Sequence, residues 1–178
     1  MSIDALRRVS SLPVATISAT PITGARHIPF DEPGWGARWA KLNLNLLTPF
    51  DRTLYLDADT RPRANPALLL DLLGDGFDLV MADSTMQAEK ALWHVGRDER
   101  EATLDGFGFT PLQLQAGVFA FRRNEAMHAL FAAWREEWRG GQDQAALLRA
   151  LYRVPVKLWL VSHALSEGLV AHMWGRLH

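Results

Sequence analysis

A chain of 178 residues, 48% hydrophobic and 22% charged, is long enough for one globular domain with a sizeable core. Its formal net charge of -1 gives no electrostatic case for binding nucleic acid, and the absence of cysteine excludes both a disulfide framework and a thiolate metal site. No apolar run approaches the roughly 20 residues needed to span a bilayer, and the start, Met1-Ser2-Ile3-Asp4-Ala5-Leu6-Arg7-Arg8, lacks the basic-then-apolar order of a secretory signal. The expectation is a single cytoplasmic enzyme or binding domain over residues 1–178.

In chain order, residues 2–9 read as the end of an amphipathic helix that Pro13 stops, and residues 14–18 as a strand. Residues 21–33, rich in Pro and Gly, read as loop. Trp35, Trp39, Leu42 and Leu46 recur at helical spacing, and Pro49 closes that helix. Leu54-Tyr55-Leu56 is a short apolar run of strand character that ends in Asp57-Ala58-Asp59-Thr60. Asn65-Pro66 starts a leucine-rich helix that ends at Gly74. Residues 77–83 form a second buried strand ending in Asp83. A short helix is expected over 87–93, a solvated surface loop over 97–101, and loop over 106–111. Residues 114–121 read as a strand with Gly117 where a backbone approaches a ligand closely. Asn124 caps a helix running to Trp138, the pair Gly140-Gly141 stops it, another helix covers 143–152, and a strand covers 156–161. Of the seven tryptophans most are expected in the core. Strands alternating with helices imply an α/β layered fold with a largely parallel sheet.

The stretch that organises this pattern is Asp57-Ala58-Asp59. In open α/β sheets ligands bind beyond the carboxyl ends of the strands. Side chains alternate along an extended chain, so Asp57 and Asp59 are expected to point the same way. Two converging carboxylates repel unless they share a proton or a cation. A hard divalent cation removes that repulsion and can also hold a phosphate. Asp83, the pair Asp143/Gln144 and His172 are the other polar groups at or near strand ends.

Taken together these clusters resemble the nucleotide-sugar glycosyltransferases of the GT-A fold, most closely family 8, over residues 38–178. Arg38-Trp39-Ala40-Lys41 followed by the run from Pro49 to Thr60 is similar to that family's approach to its Asp-x-Asp motif. Leu114-Gln115-Ala116-Gly117-Val118 is similar to its Asn-x-Gly-Val strand, with Gln115 where the family has Asn. Asp143-Gln144 resembles its Asp-Gln pair. His172-x-x-Gly175-x-x-His178 resembles its His-x-x-Gly-x-x-Lys ending, with His178 in place of Lys.

The resemblance implies a mostly parallel, Rossmann-like sheet flanked by helices and lacking the family's first strand. It implies a cation, Mn²⁺ or Mg²⁺, held by Asp57, Asp59 and His172. The donor is then a nucleotide-diphosphate sugar, a UDP-sugar first among them, and the acceptor an unidentified carbohydrate, lipid or protein. Arg38 and Lys41 would lie near the nucleotide and Asp57 near the ribose. Asp83, Asp143 and Gln144 would face the transferred sugar, with Gln144 beneath the anomeric carbon. Gln115, Gly117, Gly175 and His178 complete the implied donor-binding set, and transfer would retain the anomeric configuration.

Two other functions compete. Asp57-Ala58-Asp59-Thr60 also fits the Asp-x-Asp-x-Thr of haloacid dehalogenase-type phosphatases, which need a Lys and a second acidic pair downstream; Asp75 and Asp78 have a suggestive spacing but come early. Alternatively, a glycosyltransferase-like chain without its first strand serves as an inactive binding or assembly domain, with a second copy of itself as a partner.

Overall fold

The computed structural model describes residues 3–30, 36–74, 76–84 and 90–173. Its centre is β6 (Leu114–Arg122), a nine-residue strand buried along all but its last residue. Such a near-continuous apolar run suits a strand covered on both faces. β6 pairs antiparallel with β3 (Arg52–Leu56) on one side and with β5 (Leu79–Asp83) on the other, and β5 pairs parallel with β7 (Leu158–Val161). The order across the sheet is β3-β6-β5-β7. β6 is therefore antiparallel to both of its neighbours. The mostly parallel, Rossmann-like sheet expected from the sequence is in fact a mixed one, because its longest strand runs against the rest.

Alternation along these strands divides the core in two. Leu79, Met81, Phe119 and Phe121 face one cluster, and Val80, Ala82, Val118 and Ala120 face the other. The first is covered by α6 (Glu125–Glu137) and α7 (Gln144–Arg153), whose Phe131, Trp134 and Leu147 pack against it. The second is covered by Leu69 of α4 (Leu68–Asp71), by Leu73, and by Leu169 at the end of α8 (His163–Leu169). Asn124 and Ser162 cap α6 and α8 by accepting hydrogen bonds from the backbone N–H groups of Met127 and Leu165.

Two short sheets lie outside this sandwich. β1 (Ala15–Ser18) pairs parallel with β2 (Arg26–Pro29). The expectation that residues 14–18 join the main sheet is corrected, since no described strand joins β1 to β3. The expectation of loop over 21–33 is corrected too, because Ile28 lies opposite Ile17 and continues a ladder there. β4 (Thr60–Pro62) pairs antiparallel with β8 (Val170–His172). Neither was legible in sequence, since three residues are too few to show a period.

The helices also differ in detail. α1 spans Ile3–Val9. The helix expected over 35–47 is broken into α2 (Gly36–Leu42) and α3 (Leu44–Leu47) at Asn43, whose side-chain amide donates to the carbonyl of Trp39 at 2.8 Å. The charged stretch 97–101, expected as loop, is instead the first part of α5 (Arg97–Phe107), stopped by Gly108 in the left-handed conformation at φ 68°. Of the helix expected over 87–93, residues 87–89 lie outside the described residues, and residues 91–94 are turns.

α5, α6 and α7 are joined through Arg149. Its guanidinium donates to Glu137 Oε2 at 2.8 Å, to the Glu137 carbonyl at 2.7 Å, to Thr103 Oγ1 and to Glu99 Oε1 at 3.2 Å. Burial alone would raise the pKa of Glu137, but its hydrogen bonds from Arg149 and Arg153 more than offset this and hold it below the usual carboxylate value. A carboxylate with a depressed folded pKa contributes stability above its unfolded pKa and loses it as the pH falls through the folded value. Replacing Arg149 with Met is expected to cost about 2–3 kcal/mol by urea denaturation at pH 7, because it strands partly buried acceptors on two other helices. The same comparison at pH 3 should give a smaller difference, as Glu137 gains its proton.

Candidate active site

The Asp57 turn lies where β3 runs out. Asp57 N donates to the Gly117 carbonyl at 2.9 Å, the last rung shared with β6, and Thr60 then closes a turn by donating from its N and its Oγ1 to the Asp57 carbonyl at 3.1 and 2.7 Å. Residues 57–59 are thus a tight turn and not the extended segment that alternation assumed. Their convergence comes from the next element. Thr60 opens β4, which lies opposite His172 of β8, and Met173 N donates to the Asp59 carbonyl at 3.0 Å. The far end of the chain is thereby stitched to the acidic turn.

Three side chains meet there. His172 Nε2 lies 3.1 Å from Asp59 Oδ1 and 3.9 Å from Asp57 Oδ2, and one ligand atom from each of the three residues lies within 4.8 Å of the other two. His172 is nearly buried, Asp57 about a quarter exposed and Asp59 about half exposed, so the group opens to solvent on the Asp59 side. The floor beneath them is Gly117. A Cβ at that position would come within 2.0 Å of His172 Cε1 and 2.9 Å of Asp57 Oδ2. The sequence suggested that Gly117 admits a ligand; in the fold it admits the imidazole and the carboxylate.

Behind the turn sits a buried ammonium. Lys41 Nζ, on α2, lies 3.1 Å from Asp57 Oδ1 and 3.0 Å from Asp143 Oδ2, and 5.3 Å above the ring of Tyr55. Burial alone would lower its pKa, but the charges of Asp143 and Asp57 and their hydrogen bonds more than offset this and raise it. The expectation that Lys41 reaches the nucleotide is therefore refined: its charge is held between two carboxylates. Tyr55 donates to Asp57 Oδ1 at 2.6 Å. Burial first, and then the charge of Asp57 and this hydrogen bond, raise the phenol's pKa, so it stays a donor. Three carboxylates (Asp57, Asp59, Asp143) face one ammonium and the imidazole of His172, a donor set that suits a divalent cation.

Asp143 precedes α7, where its carbonyl accepts the indole N–H of Trp134 at 2.9 Å. Gln144 follows, and its amide donates to the Leu114 carbonyl at 2.6 Å. His94, which the sequence did not suggest, shares this corner: burial lowers its pKa, opposed by a hydrogen bond with Gln144 and the charge of Asp143. Its place depends on the loop that turns at Leu92, a residue at φ 54°, so no local pattern announced it. Tyr55 was legible in principle, since it sits two residues before Asp57.

These groups line a cleft of about 2020 Å³ that also includes Arg38, Gln115, Gly140 and Gly141. Arg38 is exposed and donates to Gln142 Oε1 at 2.9 Å. Gln115 is buried and accepts from Ser166 at 3.4 Å. Asp83 does not line the cleft. Its carboxylate accepts the backbone N–H of His163 at 2.5 Å, at the start of α8. Asp83 thereby holds the first turn of α8. Gly175 and His178 lie outside the described residues.

No family model and no curated protein matches this chain. Among solved structures it is similar to the apo form of the bifunctional glycosyltransferase WbbM, at 16% identity and a TM-score of 0.54 over 76% of this chain. The match covers 26% of that protein, so the chain spans about a quarter of its length. The likeness shows a mixed α/β fold shared with part of that glycosyltransferase, and it does not extend to family 8.

Two substitutions probe the geometry. Gly117→Ala should force His172 away from Asp57 and cost about 1–3 kcal/mol in chemical denaturation, as overpacking does. Lys41→Met leaves two partly or fully buried carboxylates without their cation and should cost about 3–5 kcal/mol at pH 7. The stabilisation from Lys41 is fully present below its unfolded pKa and is lost as the pH rises through its raised folded value.

Proposed function

We propose that this chain is a metal-dependent glycosyltransferase that moves a sugar from a nucleotide-diphosphate sugar, with a UDP-sugar as first choice, to an acceptor hydroxyl. The observation that carries this reading is the meeting of Asp57, Asp59 and His172 at the mouth of a large cleft, in a chain with a glycosyltransferase-like fold. Mixed carboxylate and imidazole ligation suits Mn²⁺ better than Ca²⁺, and Mg²⁺ is the alternative. When bound, such a cation offsets the charge of the donor's diphosphate as it leaves.

The residues of the chain divide the remaining tasks. Tyr55 fixes Asp57 at Oδ1 and Lys41 touches both of its carboxylate oxygens, at 3.1 Å (Oδ1) and 3.3 Å (Oδ2), while Oδ2 faces the His172 side. Lys41 also fixes Asp143, so one buried ammonium sets the spacing between the cation-holding carboxylate and the sugar-facing one. Gln144 is held by the Leu114 carbonyl and by His94, which presents a fixed amide to the sugar. An amide is a poor nucleophile, so retention through a front-face departure fits this position better than a covalent intermediate. Arg38, exposed at the rim, offers a cation to the nucleotide.

The phosphatase alternative finds less support in the arrangement of its candidate second acidic pair. Asp78 accepts from Asn124 Nδ2 at 2.7 Å and from Lys157 N at 2.9 Å, and does not line the cleft; Asp75 lies outside the described residues. No described helix is long and apolar enough to cross a membrane.

The test is thermal unfolding with and without Mn²⁺. At a hundredfold excess over Kd the cation should add about 2.7 kcal/mol, a rise of roughly 5–10 °C in Tm. Asp59→Asn should abolish the rise, and His172→Ala should reduce it. Slow Mn²⁺-dependent hydrolysis of a UDP-sugar by the parent, absent in Asp59→Asn, should accompany it. Equal Tm shifts in all three proteins would place the cation elsewhere and remove the proposal's support.

A further inference from the structure

One tryptophan departs from the rest. Among the described tryptophans, Trp134 is buried and Trp39, Trp138 and Trp159 are half-buried, whereas Trp93 is 58% exposed. An indole left in water keeps a large apolar surface that burial would otherwise remove. A loose backbone does not account for it. Leu92 N donates to Gln113 Oε1 at 3.1 Å, Trp93 N to the Lys90 carbonyl at 3.1 Å and Val95 N to the Leu92 carbonyl at 2.9 Å. Ala91, Leu92 and Val95 are buried, and Leu92 and Val95 pack against Ala145 and Leu148 of α7. Leu92 itself is held at φ 54°, a left-handed conformation that a bulky side chain adopts only under constraint. The turn thus holds a strained leucine in and a tryptophan out.

The next residue joins this turn to the cleft. His94 lines the cleft, and the Trp93 ring stands edge-on to it, with centroids 5.9 Å apart and planes at 77°. His94 also hydrogen-bonds to Gln144, whose Nε2 is committed to the Leu114 carbonyl at 2.6 Å. The bond to His94 therefore uses Gln144 Oε1, with an imidazole N–H as the donor. Burial favours the neutral ring, so its second nitrogen is an acceptor, suited to a hydroxyl. A flat apolar face and a hydroxyl acceptor thus stand side by side, one ring away from the Gln144 amide.

We propose that Trp93 and His94 form the acceptor subsite of the cleft and that the acceptor is a glycan, with a pyranose ring laid on the Trp93 indole and a hydroxyl donating to His94. The subsite rests on the glycosyl-transfer reading above and narrows its acceptor from three classes to one. A pyranose carries a C–H face that sheds water against an aromatic ring, and hydroxyls around its rim. A lipid chain gains little from one indole flanked by an imidazole and an amide, because apolar transfer scales with continuous buried area. A serine or threonine side chain offers a hydroxyl without a face for the indole.

The experiment is an NMR titration of the 178-residue chain that follows the Trp93 indole N–H, assigned by its loss in Trp93→Phe. The probes are the methyl pyranosides of glucose, galactose, mannose and N-acetylglucosamine, with N-acetyltyrosinamide and a short isoprenoid alcohol standing for protein and lipid acceptors. At least one sugar should shift the Trp93 signal. Trp93→Ala, read from the sugar's own resonances, should weaken its binding about tenfold, the worth of one stacked ring. Trp93→Phe, which keeps a flat apolar face, should weaken it less. His94→Phe, which keeps a ring beside Trp93 and removes the acceptor nitrogen, should weaken it as well. All three variants should keep the Mn²⁺-induced rise in Tm, which reports an intact fold and cation site. The proposal is overturned if no sugar shifts the Trp93 signal, if sugar affinity is unchanged by Trp93→Ala or by His94→Phe, or if the tyrosinamide or the isoprenoid binds there in preference to every sugar. A parent that lacks the Mn²⁺ rise would overturn the transfer reading and the acceptor role with it. A parent that keeps the rise and binds no sugar at Trp93 overturns the glycan subsite alone.

Discussion

One buried ammonium governs the arrangement of this site. Lys41 is nearly enclosed, and an unpaired charge at that depth is costly to keep. It is retained because Asp57 and Asp143 approach it from two different elements, the end of β3 and the loop that enters α7. Neither carboxylate could lie so close to the other without it. The contact therefore sets the distance between the acidic turn and the Asp143-Gln144 corner. Tyr55 and the Trp134 indole reinforce the two ends from behind.

The second constraint is close approach. β6 is buried on both faces, and at Gly117 it gives up a side chain beneath the imidazole of His172. That gap lets the end of the chain lie against the acidic turn. The β4–β8 pairing then holds His172 opposite Thr60. A turn that no isolated strand argument would choose, an absent Cβ and a three-residue ladder together bring one imidazole to two carboxylates. Each part is small, and the removal of any one displaces the imidazole or a carboxylate.

The sequence announced those parts that are local and periodic. The apolar run 114–121, the Asn124 cap and the Asp57-Ala58-Asp59 step were legible because neighbouring residues suffice to define them. Convergence of His172 on Asp57 and Asp59 followed from resemblance alone, since nothing in the spacing of the chain requires it. The stretch 97–101 misled because a charged first turn of a helix has the composition of a loop. Its helix is fixed by distant Arg149. Asp83 shows the opposite ambiguity: a carboxylate at a strand end suits a ligand and a helix N-terminus equally, and the hydrogen bond from His163 N at the start of α8 was not legible in the sequence. β2, β4 and β8 were missed because three- and four-residue strands carry too little pattern, and His94 because a loop path placed it.

The central claim is that Asp57, Asp59 and His172 form one cation site. Crystals of the chain soaked in Mn²⁺ and measured near the manganese absorption edge would test it most directly. An anomalous-difference peak within bonding distance of an oxygen of Asp57 or Asp59 and of a nitrogen of His172 is the expected result. A peak elsewhere in the chain, or none at Mn²⁺ concentrations that saturate solution binding, would contradict it.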